Sequence, residues 1–398
     1  MGNGFHLGRI AGIDIFLDWS LLIIFTLVTV SLGAGAFPTW HPEWGAMTAW
    51  ATALAAAALF FASVLVHELS HALVGRLYGV EIPSITLFVF GGMAQMREEP
   101  RAWKPELWMA LAGPATSLAL GVAFTGLGWL VSGGALRDTE NPARAVASLS
   151  PFATLLFWLG PINIVLGLFN LVPGFPLDGG RVLRAIIWGV TGNLHRATRW
   201  ASNCGRFIAW LLISSGIAMA LGVRLPLFGT GLVSGLWLAL IGWFLNNAAI
   251  MSYRQLLLRE SLADVPVSKL MKTGVVTVEP GVSVHELIDD YVMRGEQRAY
   301  PVVEKGELVG LVCLQDVHRL PRREWDTTAV RSIMTPVDQV AAVGPNDSGM
   351  DALTTLSQRG VNQLPVIEGR HVRGLLRRED ILRWLSVYGD RQFRDARV

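Results

Sequence analysis

Residues 66–71 read Val66-His67-Glu68-Leu69-Ser70-His71, two histidines four positions apart with a glutamate beside the first. On a helix, positions i and i+4 share a face, so both imidazoles can grip one metal ion. Imidazole suits zinc, which lowers the pKa of its water to about 7. Glu68 stands where it can take a proton from that water. The motif is short, and a polar cluster between helices or a proton path would also use it. The surrounding sequence separates these readings. The three ionisable side chains lie in a stretch otherwise able to span lipid, where such groups are expensive and usually functional. Counting back from Arg76 at 1.5 Å per residue puts His67 about 14 Å into the membrane. A metal satisfies the three side chains together and solves their burial.

Two histidines leave a catalytic zinc one protein ligand short. The best candidate is Asp178, in Asn170-Leu-Val-Pro-Gly-Phe-Pro-Leu-Asp-Gly-Gly-Arg181. Pro173, Gly174 and Pro176 break the helix, so Asp178 is expected on irregular backbone. Such backbone is tolerated at membrane depth only where it lines a buried or wet cavity. The alternative is a helix cap at the cytoplasmic surface, since Asp is a favoured N-cap.

The elements that must position these groups follow from composition. Of 398 residues, 52% are hydrophobic and 16% charged, against roughly 25% charge in soluble domains. Residues 1–254 are apolar with sparse charge and 255–398 are charged, which reads as a membrane domain followed by a water-facing one. A bilayer needs about 20 apolar residues per helix. Spans are expected at 17–36, 47–77, 106–133, 149–171, 204–222 and 229–248, with a second apolar piece at 182–190 after the fourth. The first apolar run contains Asp18 and is followed by no small-residue cleavage site, so it reads as a retained span. The second span ends toward Arg76, with Arg97, Arg101 and Lys104 following; Arg181, Arg184, Arg196 and Arg199 follow the fourth, and Arg254 and Arg259 the sixth. Loop 37–46 has no Lys or Arg, and loop 134–148 holds Arg137 and Arg144. The positive-inside rule then places both termini in the cytoplasm. The net charge of +2 suggests no nucleic-acid partner. Cys204 and Cys313 are too few for a disulfide framework or a Cys-based zinc site.

These residues now carry a resemblance. His67-Glu68-x-x-His71 in a second span, with Asn170 through Asp178-Gly179-Gly180 about a hundred residues later, resembles the site-2 protease family of intramembrane metalloproteases over roughly residues 5–250. The resemblance implies that His67, His71 and Asp178 hold one Zn2+ per chain. It implies that Glu68 is the general acid and base, and that Asn170 orients substrate or stabilises an oxyanion. Ala112-Gly113-Pro114-Ala115-Thr116-Ser117 is similar to a small-residue motif of the third span, although the family often has Asn where Ser117 stands. Leu87 through Ala94, including Phe90, Gly91 and Gly92, is similar to a membrane-associated β-hairpin. Gly91, Gly92, Gly113 and Ser117 are thereby candidate substrate-binding residues. A helical substrate shields its own carbonyls, so cleavage needs local unwinding, and an exposed strand edge at 85–95 could hold the unwound segment.

The C-terminal part repeats itself at an offset near 64 residues. Tyr300-Pro301-Val302-Val303 recurs as Leu364-Pro365-Val366-Ile367, and Gly310 to Asp316 as Gly374 to Asp380. Each copy reads as a short strand, a helix (284–294; 350–359), two strands and a final helix. The repeat resembles a tandem CBS pair, 262–320 and 325–386. The resemblance implies an adenine nucleotide (ATP, ADP or AMP) at Asp316 and Asp380, and a homodimer through the pair. The usual Ser or Thr three residues before each Asp is replaced by Cys313 and Arg377.

The expected fold is thus a polytopic α-helical membrane domain, residues 1–254, of about six transmembrane helices plus the hairpin, followed by an α/β tandem CBS module. The expected function is an intramembrane zinc metalloprotease acting on transmembrane proteins within membrane lipid, in a prokaryotic plasma membrane. A CBS-regulated transporter should instead show duplicated halves with paired broken helices, and only 171–181 is broken. An inactive homologue would typically have lost His67, Glu68, His71 or Asp178.

Overall fold

The computed structural model describes residues 4–89, 91–96, 99–133, 142–226, 229–295 and 297–388. Phe90 of the hairpin, and Arg97 and Arg137 of the charge pattern, lie outside the described residues. The chain divides into two units, Met1–Tyr253 and Arg254–Val398.

Six helices among the described residues are long and apolar enough to cross a membrane. They are α1 (Ser20–Trp40), α2 (Ala46–Leu77), α3 (Trp103–Val131), α4 (Pro151–Asn170), α6 (Leu194–Ala220) and α7 (Leu232–Ala263). A shorter amphipathic helix, α5 (Asp178–Thr191), follows the Pro/Gly break. The number and order match the sequence expectation, while two edges move. Helix α6 begins at Leu194, where the Asn193 side chain caps the Arg196 amide at 2.9 Å. Its polar first turns hide it from a hydropathy window. Helix α7 runs to Ala263, so most of the linker expected at 249–265 is helical. Its apolar run ends near Arg254, but the Leu, Gln, Arg and Glu that follow are good helix formers.

Inside a bilayer, helices associate through close packing of small residues. Helices α3 and α4 do so: a Cβ at Gly121 would lie 2.9 Å from the Gly160 carbonyl oxygen, and one at Gly167 3.0 Å from that of Pro114.

A four-stranded sheet, rather than a lone hairpin, packs beside α2. Its order is β1 (Gly4–Ile10), β2 (Ile13–Asp18), β3 (Ser84–Phe88), β4 (Gly91–Gln95). β2 and β3 run parallel, and the two outer pairs are antiparallel. Ala11 and Gly12 both have positive φ (50° and 77°), the requirement of a two-residue hairpin turn. Arg76, at the end of α2, donates to the carbonyls of Ala11 (2.5 Å), Gly12 (3.0 Å) and Ile82 (3.2 Å). It is therefore a tether between sheet and helix as well as a flanking charge. Ile13, Ile15, Ile85 and Leu87 are buried in one cluster with Val64 and Ala72 of α2. Because β3 is interior, the edge expected over 85–95 reduces to β4.

The second unit repeats its register as well as its sequence. β5 (Ala299–Glu304) pairs antiparallel with β6 (Glu307–Cys313), and β8 (Gln363–Glu368) with β9 (His371–Arg377). The register shifts between Val302 and Val303 in one copy and between Val366 and Ile367 in the other. A short strand β7 (Thr335–Pro336) adds to β6. Helices follow each hairpin: α8 (Leu314–His318) and α10 (Arg378–Tyr388), with α9 (Gly349–Gln358) preceding β8. The first copy's helix, expected over 284–294, runs from Val284 to Val292 with its second half as π-helix.

Candidate metal centre

His67 and His71 lie on one face of α2 and are 4% and 7% exposed. The break at 171–177 returns the chain so that Asp178 faces them from the start of α5. Asp178 is thus the first helical residue and does not sit on irregular backbone as expected. The irregularity ends with Leu177, and a carboxylate in a first helical turn is stabilised by the free amides there. Gly179 and Gly180 let this turn close. A Cβ at Gly179 would lie 2.3 Å from the Leu171 carbonyl oxygen, and one at Gly180 2.4 Å from the Gly174 carbonyl carbon.

Three atoms converge. His67 Nε2 and His71 Nε2 are 3.2 Å apart, and each is 3.1 Å from Asp178 Oδ2. Among the described residues, these three side chains form the group able to hold a metal ion. Zinc ligands at about 2.0–2.1 Å in a tetrahedron lie about 3.3 Å from one another, close to the separations observed.

The outer nitrogens fix the rings. His71 Nδ1 lies 2.6 Å from the Met109 carbonyl oxygen, which only accepts. Nδ1 therefore carries the proton, and Nε2 presents a lone pair to the centre. His67 Nδ1 lies 2.8 Å from Ser117 Oγ, which accepts in the same tautomer. Such outer partners orient metal-ligating histidines. Two imidazole nitrogens and a carboxylate oxygen aimed at one point form a donor set that fits zinc.

Gly113 of α3 makes room for this centre. A Cβ there would lie 2.2 Å from His71 Nε2 and 2.6 Å from His67 Nε2. Gly92 of β4 does the same for Glu68, whose Cγ would be 2.2 Å from its Cβ. Glu68 thus lies between the metal-binding face of α2 and the edge strand. Gly91 begins that strand with φ 129°. Asn170 makes no hydrogen bond to His67, Glu68, His71 or Asp178; its amide nitrogen donates to the Leu166 carbonyl at 3.0 Å.

Sequence reasoning missed a buried ion pair behind the centre. Arg184 of α5, counted as a cytoplasmic surface charge, is only 5% exposed, and Glu106 of α3 is 1% exposed. Arg184 Nε donates to Glu106 Oε1 at 2.5 Å, Nη2 reaches the same oxygen, and the guanidinium lies 5.2 Å from the Phe175 ring. An acidic residue in the first turn of a span and an arginine two turns into an amphipathic helix were the available signals.

The second unit holds a cleft of about 830 Å³, lined from both repeats. Asp316 lines it, whereas Asp380 is held by Arg377.

A buried His, His, Asp centre beside a glutamate, within a bundle of membrane-length helices, defines an integral membrane metallohydrolase. Residues 55–212 match the model of Peptidase family M50, and residues 267–322 and 330–387 each match the CBS domain. Rip3 of Mycobacterium tuberculosis, named as a zinc metalloprotease, is 34% identical, with 98% of this chain and 94% of that protein aligned. A zinc metalloprotease of Methanocaldococcus jannaschii is 28% identical over 83% of this chain and 84% of its own length. Among solved structures, the site-2 protease of Methanocaldococcus jannaschii covers 63% of this chain and 95% of its own, at 26% identity and a TM-score of 0.41. The chain belongs to Peptidase family M50, the site-2 proteases, and is a membrane-embedded zinc metalloprotease with a C-terminal CBS pair.

Proposed function

We propose that His67, His71 and Asp178 hold the zinc ion, that Glu68 is the general acid and base, and that a transmembrane protein is cut after pairing with β4. The observation that carries this is the convergence of two Nε2 atoms and one carboxylate oxygen within 3.2 Å, with Glu68 beside the edge strand. When bound, zinc supplies a Lewis acid for the scissile carbonyl and for water. The chain's residues do the rest. An unwound substrate segment adds to the outer edge of β4, which satisfies backbone groups that lipid would leave unpaired. Gly92 presents no side chain there, so the segment approaches Glu68 closely. Glu68 takes the proton of the attacking water and delivers it to the departing amide nitrogen. Asn170 orients the substrate, exchanging its bond to Leu166 for a substrate carbonyl.

Arg196, Arg199, Arg254 and Arg259 set both termini on the cytoplasmic side of a prokaryotic plasma membrane. The CBS pair, as a homodimer, binds adenine nucleotide in its cleft and regulates cleavage.

The test is zinc per chain in detergent-purified protein, measured with cleavage of a single-span substrate. Wild type should carry about one zinc, and Asp178→Ala much less. Glu68→Gln should keep its zinc while cleavage falls by about 10²–10⁴-fold. Equal zinc in wild type and Asp178→Ala would move the third ligand elsewhere. Near-wild-type cleavage by Glu68→Gln would remove it from the mechanism.

A further inference from the structure

The two repeats of the second unit are related in sequence and in register, yet their corresponding aspartates are in opposite states. Asp380 is closed. Its Oδ2 accepts from Arg377 N (3.2 Å) and Arg377 Nε (2.8 Å), and its Oδ1 from Arg377 Nη2 (2.6 Å). Both carboxylate oxygens are therefore held by the residue three positions before it. Asp316 is open. Its Oδ2 accepts from Cys313 N (2.9 Å) and Cys313 Sγ (3.0 Å). Its Oδ1 has only the Arg319 guanidinium at 3.8 Å, beyond hydrogen-bonding distance, on a side chain that is 82% exposed. Burial and the neighbouring carboxylate push the Cys313 thiol up. It thus stays protonated and serves Asp316 as a weak donor. The difference comes from one pair of repeat positions. Cysteine leaves half of the carboxylate unfilled, and arginine fills all of it.

The open aspartate faces the cleft of about 830 Å³, a size usual for small-molecule sites. Arg298, Arg319, Arg377 and Arg378 line the same cleft, against the carboxylates of Asp316 and Glu379. Arg377 is engaged with Asp380 and Glu379. Arg298 is exposed, and the Nε of Arg378 is buried without a hydrogen-bond partner. A carboxylate oxygen with free lone pairs recognises paired hydroxyl donors, and guanidinium groups recognise phosphate oxygens. A ligand that presents both is a nucleoside phosphate, and three available guanidinium groups suit more than one phosphate group.

We infer that this CBS pair binds one nucleoside polyphosphate per chain. The hydroxyls lie on Asp316 and the phosphates on Arg298, Arg319 and Arg378, while Arg377 occludes the second, repeat-related site. The inference rests on the nucleotide reading proposed above and adds the number of ligands, their class and the residue that closes the second site.

The test is calorimetric titration of the full-length protein in detergent with ATP, ADP, AMP and inorganic triphosphate. One ATP should bind per chain, with ATP and ADP at least about tenfold tighter than AMP, from the added charge-assisted hydrogen bonds. Arg298→Gln, at an exposed position, should weaken ATP and triphosphate alike. Asp316→Asn should weaken ATP and leave triphosphate unchanged. Arg377→Ser should free Asp380 and raise the count to two. Two ATP per wild-type chain, or AMP bound as tightly as ATP, would overturn the inference and leave nucleotide binding standing. No heat with any nucleotide, despite a folded protein, would remove the nucleotide reading itself.

Discussion

Arg184→Met should be among the most damaging substitutions outside the proposed zinc ligands. Arg184 and Glu106 are 5% and 1% exposed, and two guanidinium nitrogens reach one Glu106 oxygen. Removing one member of a buried pair strands the other charge and typically costs about 3–5 kcal/mol. An exposed pair would cost about 0–1 kcal/mol, so the two cases are well separated. Arg184 also covers Phe175, and a Met retains much of that packing. Replacing both partners, Glu106→Leu with Arg184→Met, removes the stranded charge and should return stability to within about 1 kcal/mol of wild type. The assay is a double-mutant cycle on unfolding in mixed micelles, with zinc content read on each variant. Each single variant should be strongly destabilised, and the double variant should be more stable than either. Additive losses, or a single loss below about 1 kcal/mol, would refute the reasoning that this pair docks α5 on α3.

Gly113→Ala brings a methyl carbon to 2.2 Å from His71 Nε2. Either α3 shifts or the ring leaves its bond to Met109, and zinc content at limiting metal should fall by about 10–100-fold in affinity, as for lost ring orientation. Gly92→Val meets Glu68 rather than the histidines, so it should keep its zinc while cleavage falls at least about tenfold. Loss of zinc from Gly92→Val, or full activity, would separate Glu68 from the edge strand.

The candidate centre was legible because ionisable residues stand out in a stretch that lipid would otherwise favour. His67, Glu68 and His71 had no bland alternative of equal strength, and the Pro173 to Pro176 break marked where a third donor could enter. The CBS repeat was legible because its strands alternate and recur at a fixed offset. Strands β1 and β2 were not. They are seven and six residues long, and the β1 face is exposed, so no alternation of buried and polar residues marks β1. Their tether, Arg76, reads as an ordinary flanking charge. Arg184 was misread for the same reason: a charge count treats every arginine beside a span as solvated, and only the partner at Glu106, 78 positions away, shows otherwise. Asp178 was placed on loop because the prolines mark where a helix ends and leave open how soon the next begins.

The third helix explains how a centre whose proposed ligands come from α2 and α5 is held in place. Glu106, Met109, Gly113 and Ser117 fall three, four and four residues apart on α3, so they share one face. Each touches a different part of the site. Glu106 holds Arg184 of α5, the Met109 carbonyl holds His71, Gly113 clears both rings, and Ser117 holds His67. This helix, which supplies none of the three proposed ligands, therefore sets the His71 tautomer, holds the His67 ring through Ser117 and docks the helix that carries Asp178. Ligand motifs advertise themselves by residue type. A positioning stripe made of a backbone carbonyl, a missing Cβ, a hydroxyl and one half of an ion pair has no shared chemistry to advertise, and only packing brings its members together.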